Sequence, residues 1–242
     1  MTVLFAISPT VDITACKWDT VIPFEPLWEQ YKRIIKPNGA IVLFGSQPFT
    51  SALVMSNPKW FKYSWVWDKK CSTGFLNAKK QPLRRTEDIC VFYQKSGTYN
   101  PHMVVRGAVR NKRGYNTLGG SDNYGKFGNV VVRNNVYYPT NILVFHNAAQ
   151  KGKKHPTQKP TLLLEYLIKT YSIEGELILD NTAGSGSLAI AAMNTKRNYI
   201  CIEKDDHYFQ VMSDRIANHN PIAPPPKKSK PRPVPEGQLS LF

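Results

Sequence analysis

At 242 residues with 42% hydrophobic content, the chain is long enough to bury one sizeable core with a small appended lobe, and it needs no disulfide staples. No apolar run approaches the roughly 20 residues of a membrane span, and the opening MTVLFAI lacks the charged front of a secretory signal, so a cytoplasmic protein is expected. The formal charge of +15 directs attention to a polyanionic partner.

The first periodic segment, residues 27–35, spaces Leu27, Trp28, Tyr31, Ile34 and Ile35 as a helix does; KPNG stops it and AIVLFG follows as a buried strand. FTSALVMS reads as a second helix, and YSWVWD and DICVFY read as strands. Residues 96–138, rich in Gly and Asn, hold no sustained period and read as an insertion or lobe. After HPTQKP come the amphipathic run TLLLEYLIKTYS, the strand ELILD, a glycine turn, the helix SLAIAAMNT and the strand NYICIE. Strand, turn, helix, strand predicts a mainly parallel α/β sheet that binds ligands at the carboxyl ends of its strands. From Pro221 the chain turns proline- and lysine-rich, a composition that cannot form a core and reads as an extended tether.

Charge and cysteine placement narrow the chemistry. Between Lys69 and Lys159 stand 17 Lys or Arg against three acids, a net +14 that holds nearly the whole excess. Lys69, Lys70, Arg84, Arg85, Arg110, Lys112 and Arg113 are the candidate phosphate contacts, and the interspersed Tyr and Asn residues can stack on bases or bond their edges. A solvated basic loop is the plainer reading of the same run. Cys16, Cys71, Cys90 and Cys201 lie far apart with no CxxC pair, so neither a zinc site nor a disulfide framework is indicated, and they read as ordinary buried thiols.

The strongest local signal is LILDNTAGSGSLAIAA. An apolar strand ends in Asp180, and Ala183, Gly184, Ser185, Gly186 and Ser187 turn directly into a helix; the glycines let the backbone pass close to a ligand. The next apolar strand ends in Glu203, the position from which a carboxylate receives ribose hydroxyls. A nucleotide-like cofactor fits this pair, whereas the glycine turn alone is equally a tight βα connection with no ligand.

Here a family resemblance becomes specific. Asp180-Asn181-Thr182-Ala183-Gly184-Ser185-Gly186-Ser187 resembles the D-P-F-x-G-S-G-T motif of DNA amino-methyltransferases, and His155-Pro156-Thr157-Gln158-Lys159-Pro160 is similar to their H-P-T-Q-K-P segment. The order matches the permuted class of that family, in which the catalytic half comes first, a target-recognition insertion follows and the cofactor motif comes last. The resemblance implies a Rossmann-like α/β sheet with an inserted recognition lobe: residues 1–95 as the catalytic half, 96–150 as the insertion, 151–220 as the cofactor half and 221–242 as the tether. It further implies that residues 180–187 surround the methionine portion of S-adenosylmethionine, that Glu203 holds its ribose, and that His155, Thr157, Lys159 and Pro160 close the pocket. His155 would suit a base or a metal ligand, but no Cys or acidic ligand set accompanies it, so it reads as a positioning residue. Asn181 and Thr182 depart from the family's Pro and Phe.

The family holds the target amine with a D/N/S-P-P-Y/F loop, because an exocyclic amine conjugated to its ring must be extruded and gripped by acceptors. At the matching place stand Ser8, Pro9, Thr10 and Val11, which keep a permissible serine and the first proline but lack the aromatic platform. Back-translated and read from the last base of each codon, residues 6–11 admit Asp-Leu-Pro-Tyr-Gly, so a shifted reading frame and ordinary divergence both account for the loop. The reading is therefore site-specific methyl transfer to adenine N6 in double-stranded DNA, impaired in this chain. Cytosine N4, a catalytically dead DNA-binding relic and an RNA methyltransferase are the alternatives. The final Gln238, Leu239, Ser240, Leu241 and Phe242 resemble the peptide that docks on bacterial sliding clamps.

Overall fold

The computed structural model describes residues 1–7, 22–113, 131–147, 155 and 157–220. Its main sheet is built from β1 (Val3–Ile7), β2 (Ala40–Gly45), β3 (Phe61–Thr73), β4 (Arg84–Phe92), β7 (Ile142–Val144), β8 (Leu177–Asp180) and β9 (Asn198–Cys201). They lie in the order β7-β3-β4-β2-β1-β8-β9. Only β4 runs against its neighbours, pairing antiparallel with β2 and β3; the other pairings are parallel. A separate two-stranded antiparallel sheet joins β5 (Val104–Arg113) to β6 (Val131–Tyr137).

Alternate residues of the central strands face opposite sides of the sheet, and helices cover both, making three layers. Val42 and Phe44 of β2, Ile89 and Val91 of β4, Trp65 and Trp67 of β3 and Ile178 of β8 pack against α3 (Thr161–Tyr171) and α4 (Ser187–Asn194). The alternate residues Ile41, Leu43, Cys90, Phe92 and Leu179 meet α1 (Phe24–Ile34) and α2 (Phe49–Ser56) on the other face. All six residues of β2 are buried because both faces are covered, which is why AIVLFG reads as a continuous apolar run. α1 presents Trp28 and Tyr31 inward, and Trp28 stacks 4.9 Å from Phe92 while its Nε1 donates to Ser56 Oγ at 2.8 Å.

Several features escaped the sequence reading. β1 fills the slot between β2 and β8, pairing Phe5 with Asp180 and Ile7 with Phe44. The segment with no sustained period contains β5 and β6; residues 104–110 of β5 are exposed and residues 134–137 of β6 half-buried, so neither strand carries a core alternation there. β7 follows that stretch and bonds to β3 of the main sheet. α5 (Asp206–Ala217) closes the described chain and buries Met212. Of the thiols, Cys90 is buried and Cys201 partly so, but Cys71 is exposed: it lies near the end of β3, where the strand runs beyond the core, so the expectation of a buried thiol fails there, and Cys16 lies outside the described residues. No helix among the described residues is long and apolar enough to cross a membrane.

Candidate cofactor site and nucleic-acid interface

From β8 the chain goes through α4 to β9 on one side; from β1 it goes through α1 to β2 on the other. The connections diverge between β1 and β8, and the crevice outside the carboxyl ends of these two strands is the place where such sheets take ligands. Asp180, the last residue of β8, is buried there. Burial pushes its carboxyl up to about 7, against hydrogen bonding from Thr182 and with a further upward push from Glu203. Thr182 N donates to Asp180 Oδ1 at 3.1 Å.

The turn that follows is shaped by glycine. Gly184 has φ +52° and Gly186 φ +74°, left-handed conformations that side chains other than glycine seldom adopt. A Cβ on Gly184 would lie 3.2 Å from the His155 ring, and one on Gly186 would meet Met212 Cγ at 2.6 Å. Gly186 caps α4, whose first helical residue is Ser187. Glu203 Oε2 accepts from Gly184 N at 2.6 Å, and its Oε1 accepts from Lys204 N and Asp205 N at 3.0 Å each. This carboxylate ties the end of β9 to the turn; with about four acceptor positions it keeps roughly one for another donor.

The 155–160 segment lies against the turn. The His155 ring stands 4.2 Å from that of Tyr208, and its Nδ1 is 3.1 Å from Thr157 Oγ1. Gln158 Oε1 accepts from Ser185 Oγ at 3.2 Å, and Pro160 is the N-cap of α3. His155, Thr157, Lys159, Asp180, Thr182, Ala183, Gly184 and Ser187 share the wall of one cleft, which encloses about 20 Å³. Asn181 sits at its side, accepting from Tyr31 Oη at 3.2 Å. Pro156 lies outside the described residues.

Four contributors were not legible in the sequence. Phe44 and Leu164 complete the cleft. Arg215 of α5 reaches 30 residues back to donate to Ser185 O and Ser187 Oγ, both at 3.0 Å. Glu87 of β4 accepts from Lys159 Nζ at 2.6 Å and from Lys69 Nζ at 3.2 Å, and the Lys159 ammonium also lies over the rings of Phe44 and Trp67. Burial alone would raise the Glu87 carboxyl, but the two lysines outweigh it and hold it below the usual range. No single motif contains these residues; only the sheet brings them together.

The basic stretch divides in the same way. Lys69 is buried and paired with Glu87, so it is corrected from phosphate contact to core ion pair. Arg85 forms a two-pronged pair with Asp68 at 2.7 Å and 2.7 Å, and this hydrogen bonding lowers Asp68 to about 2. Lys70, Arg84 and Arg110 are exposed. Lys112 and Arg113 follow Arg110 on β5, opposite Val132 and Val131 of β6. Among the described residues no cluster of His, Cys, Asp or Glu could hold a metal ion. Residues 8–11 lie outside the described residues; they follow covalently from Ile7, at the carboxyl end of β1.

With this arrangement established, comparison with known proteins is decisive on one point: the N6/N4 DNA methylase family model matches residues 17–214. The chain belongs to the N6/N4 DNA methylase family. A type II methyltransferase, M.HpaI of Haemophilus parainfluenzae, is 26% identical over 211 residues, covering 81% of this chain. The chain in turn spans 59% of that relative's length. The methylase fold is shared with the PvuII cytosine-N4-specific DNA methyltransferase, at TM-score 0.63 and 13% identity over 91% of this chain and 80% of that one. It is shared also with the M1.HpyAVI-SAM complex, at TM-score 0.59 and 20% identity over 88% of both chains. Within the family fold, the glycine turn after β8 and the 155–160 segment meet at the carboxyl edge of the sheet.

Proposed function

We propose that this chain transfers a methyl group from S-adenosylmethionine to adenine N6 in double-stranded DNA, with residues 8–11 limiting its rate. The observation that carries the cofactor assignment is Asp180: a buried carboxyl at the end of β8, facing the cleft, whose ionisation burial opposes. A cationic ligand relieves that opposition, and S-adenosylmethionine carries both an ammonium and a sulfonium. When bound, it supplies an electrophilic methyl group. Asp180 holds the cationic end, the close backbone approach at Gly184 and Gly186 admits the ligand, and Glu203 offers its remaining acceptor position to a ribose hydroxyl. His155, Thr157, Lys159 and Pro160 close the site, so entry of the cofactor opens their contact with the turn.

In this reading residues 1–95 carry the catalytic half, 96–150 the target-recognition insertion and 151–220 the cofactor half. Lys70, Arg84, Arg85, Arg110, Lys112 and Arg113 set the protein on the DNA backbone. Ser8, Pro9, Thr10 and Val11 grip the extruded base poorly, since Val11 offers no ring for stacking. Cytosine N4 is the second reading: Ser8 favours it, and the PvuII enzyme named above has that specificity. Sequencing of protein-treated DNA for N6-methyladenine and N4-methylcytosine separates the two. Methylated adenine from a variant restored to Asp, Pro, Pro and Tyr at residues 8–11 supports the proposal; no methylation from either chain, with DNA binding retained, defeats it in favour of a binding relic.

Residues 221–242, outside the described set, are proposed as a tether ending in a sliding-clamp peptide. The apolar Leu241 and Phe242 would fill a pocket while Gln238 hydrogen-bonds beside it and Leu239 packs. A pull-down with purified clamp should lose its signal when residues 238–242 are removed; equal capture of both forms would discard the peptide.

A further inference from the structure

A second cavity, of about 390 Å³, lies at the opposite edge of the sheet. Ala40 opens β2, Tyr63 stands near the start of β3, Tyr93 follows the end of antiparallel β4, and Tyr171 ends α3, so all four mark the amino edge of the parallel strands. Asp180 and Glu203 mark the carboxyl edge, on the order of 15–20 Å away at the rise of a β-strand. The cavity therefore has no part in the cleft described above. Its volume falls within the range of small-molecule sites.

Tyr63, Trp65, Tyr93, Tyr99 and Tyr171 form the aromatic part of the wall, and small or polar residues such as Ala40 and Asn141 form the rest. Tyr63 and Trp65 stand edge to face with centroids 6.2 Å apart, and Tyr99 and Tyr171 are 6.4 Å apart. Among the described residues that line it none is charged; the nearest cation to these rings is Lys62, whose ammonium lies 5.2 Å from the centre of the Tyr93 ring. A flat, uncharged ring is the shape and charge that such walls accept, because every heteroaromatic ring has a face on which a phenol or indole can stack.

The hydrogen bonds add a direction. Trp65 Nε1 can only donate, and it donates to Tyr171 Oη at 2.6 Å. Tyr171 is buried, and among the described residues its own hydrogen has one acceptor within reach, Tyr63 Oη at 3.0 Å. Keeping the buried hydrogen satisfied fixes the chain as Trp65 to Tyr171 to Tyr63. The hydrogen of the half-buried Tyr63 is then left to donate outward. Burial pushes Tyr63 up to about 12, so it remains a donor at neutral pH.

We propose that this cavity is a binding site for a neutral, planar heteroaromatic ligand of nucleoside size, whose ring carbonyl accepts the Tyr63 hydroxyl hydrogen and whose face stacks on the Tyr99 side of the cavity. The site is independent of methyl transfer, and its test separates the two.

The experiment is calorimetric titration of the full chain with thymidine, a neutral nucleoside with ring carbonyls. Saturable binding with Kd below about 1 mM is expected. Tyr63→Phe should weaken it about three- to tenfold by removing one donor, and Tyr99→Ala, at an exposed ring, at least about fivefold by removing a stacking face. Thymidine monophosphate should bind more weakly than thymidine, while Asp180→Ala should leave thymidine binding unchanged even where it abolishes S-adenosylmethionine binding. The proposal is overturned by absence of saturation at several millimolar, or by wild-type affinity in both aromatic variants when their thermal unfolding shows them folded. It is equally overturned by tighter binding of the phosphate form, by loss of thymidine binding in Asp180→Ala, or by binding that emerges only after residues 221–242 are removed, which would make the tail the occupant.

Discussion

Lys159 Nζ stands 2.6 Å from Glu87 Oε2, joining the segment that closes the cofactor cleft to a strand 72 residues earlier in the chain. The same carboxylate takes Lys69 at 3.2 Å, and all three groups are largely removed from solvent. A single negative charge thus compensates two buried ammonium groups.

Replacing that charge should be costly. Glu87→Gln leaves both lysines unpaired in the interior and should lower unfolding free energy by about 3–5 kcal/mol, read from urea denaturation at pH 7. Because the folded Glu87 carboxyl titrates below its unfolded value, its contribution is present above the ordinary glutamate range and is lost as pH falls through the folded pKa. The variant should therefore show a shallower loss of stability on acidification; an unchanged acid limb would mean that the triad does not govern it.

Asp180 has the opposite sign. Its folded pKa of about 7 lies above the unfolded value, so the ligand-free chain loses stability as pH climbs from the carboxylate range through about 7, and the loss persists above it. Asp180→Asn should remove this decline and raise Tm at pH 8 while abolishing S-adenosylmethionine binding. In the wild type, affinity for the cofactor should fall up to tenfold per pH unit below about 7, since the cation needs the ionised form. Titrations at several pH values decide this; a flat affinity between pH 5.5 and 8, roughly the window around that pKa, argues for a different anchor.

Gly186 combines φ +74° with a Cβ path blocked by Met212 Cγ at 2.6 Å. Gly186→Ala should destabilise the chain by about 1–3 kcal/mol. Adding Met212→Ala should relieve the clash and leave the backbone strain, giving a measurable coupling in a double-mutant cycle. Strict additivity would show that the turn moves rather than the methionine.

The buried Lys69 should behave unlike the candidate phosphate contacts. Alanine at Arg110, Lys112 and Arg113 together should reduce DNA affinity and lower the slope of log affinity against log salt by about 0.9 for each phosphate that is no longer neutralised. Lys69→Met should leave that slope intact, because its ammonium is paired with Glu87 rather than facing solvent. Fluorescence anisotropy across a salt series reads both, and a slope change in Lys69→Met alone would reverse the assignment.

The sequence by itself determined the elements whose residues report their own surroundings. AIVLFG is uniformly apolar because both its faces are covered, FTSALVMS and TLLLEYLIKTYS carry helical spacing, and the glycines after Asp180 mark backbone that only glycine adopts readily. Family membership was legible for the same reason: the two motifs are contiguous and their constraints are local. Tertiary structure alone decided the rest. Lys69 looks like its neighbours until β4 brings Glu87 beside it. Arg215 reaches the glycine turn because α5 packs beside α4. Tyr63, Trp65 and Tyr171 become one hydrogen-bonded chain because the end of α3 lies over the start of β3. Charge pairing and directed hydrogen bonds act between groups far apart in sequence, and neither leaves a periodic trace along the chain.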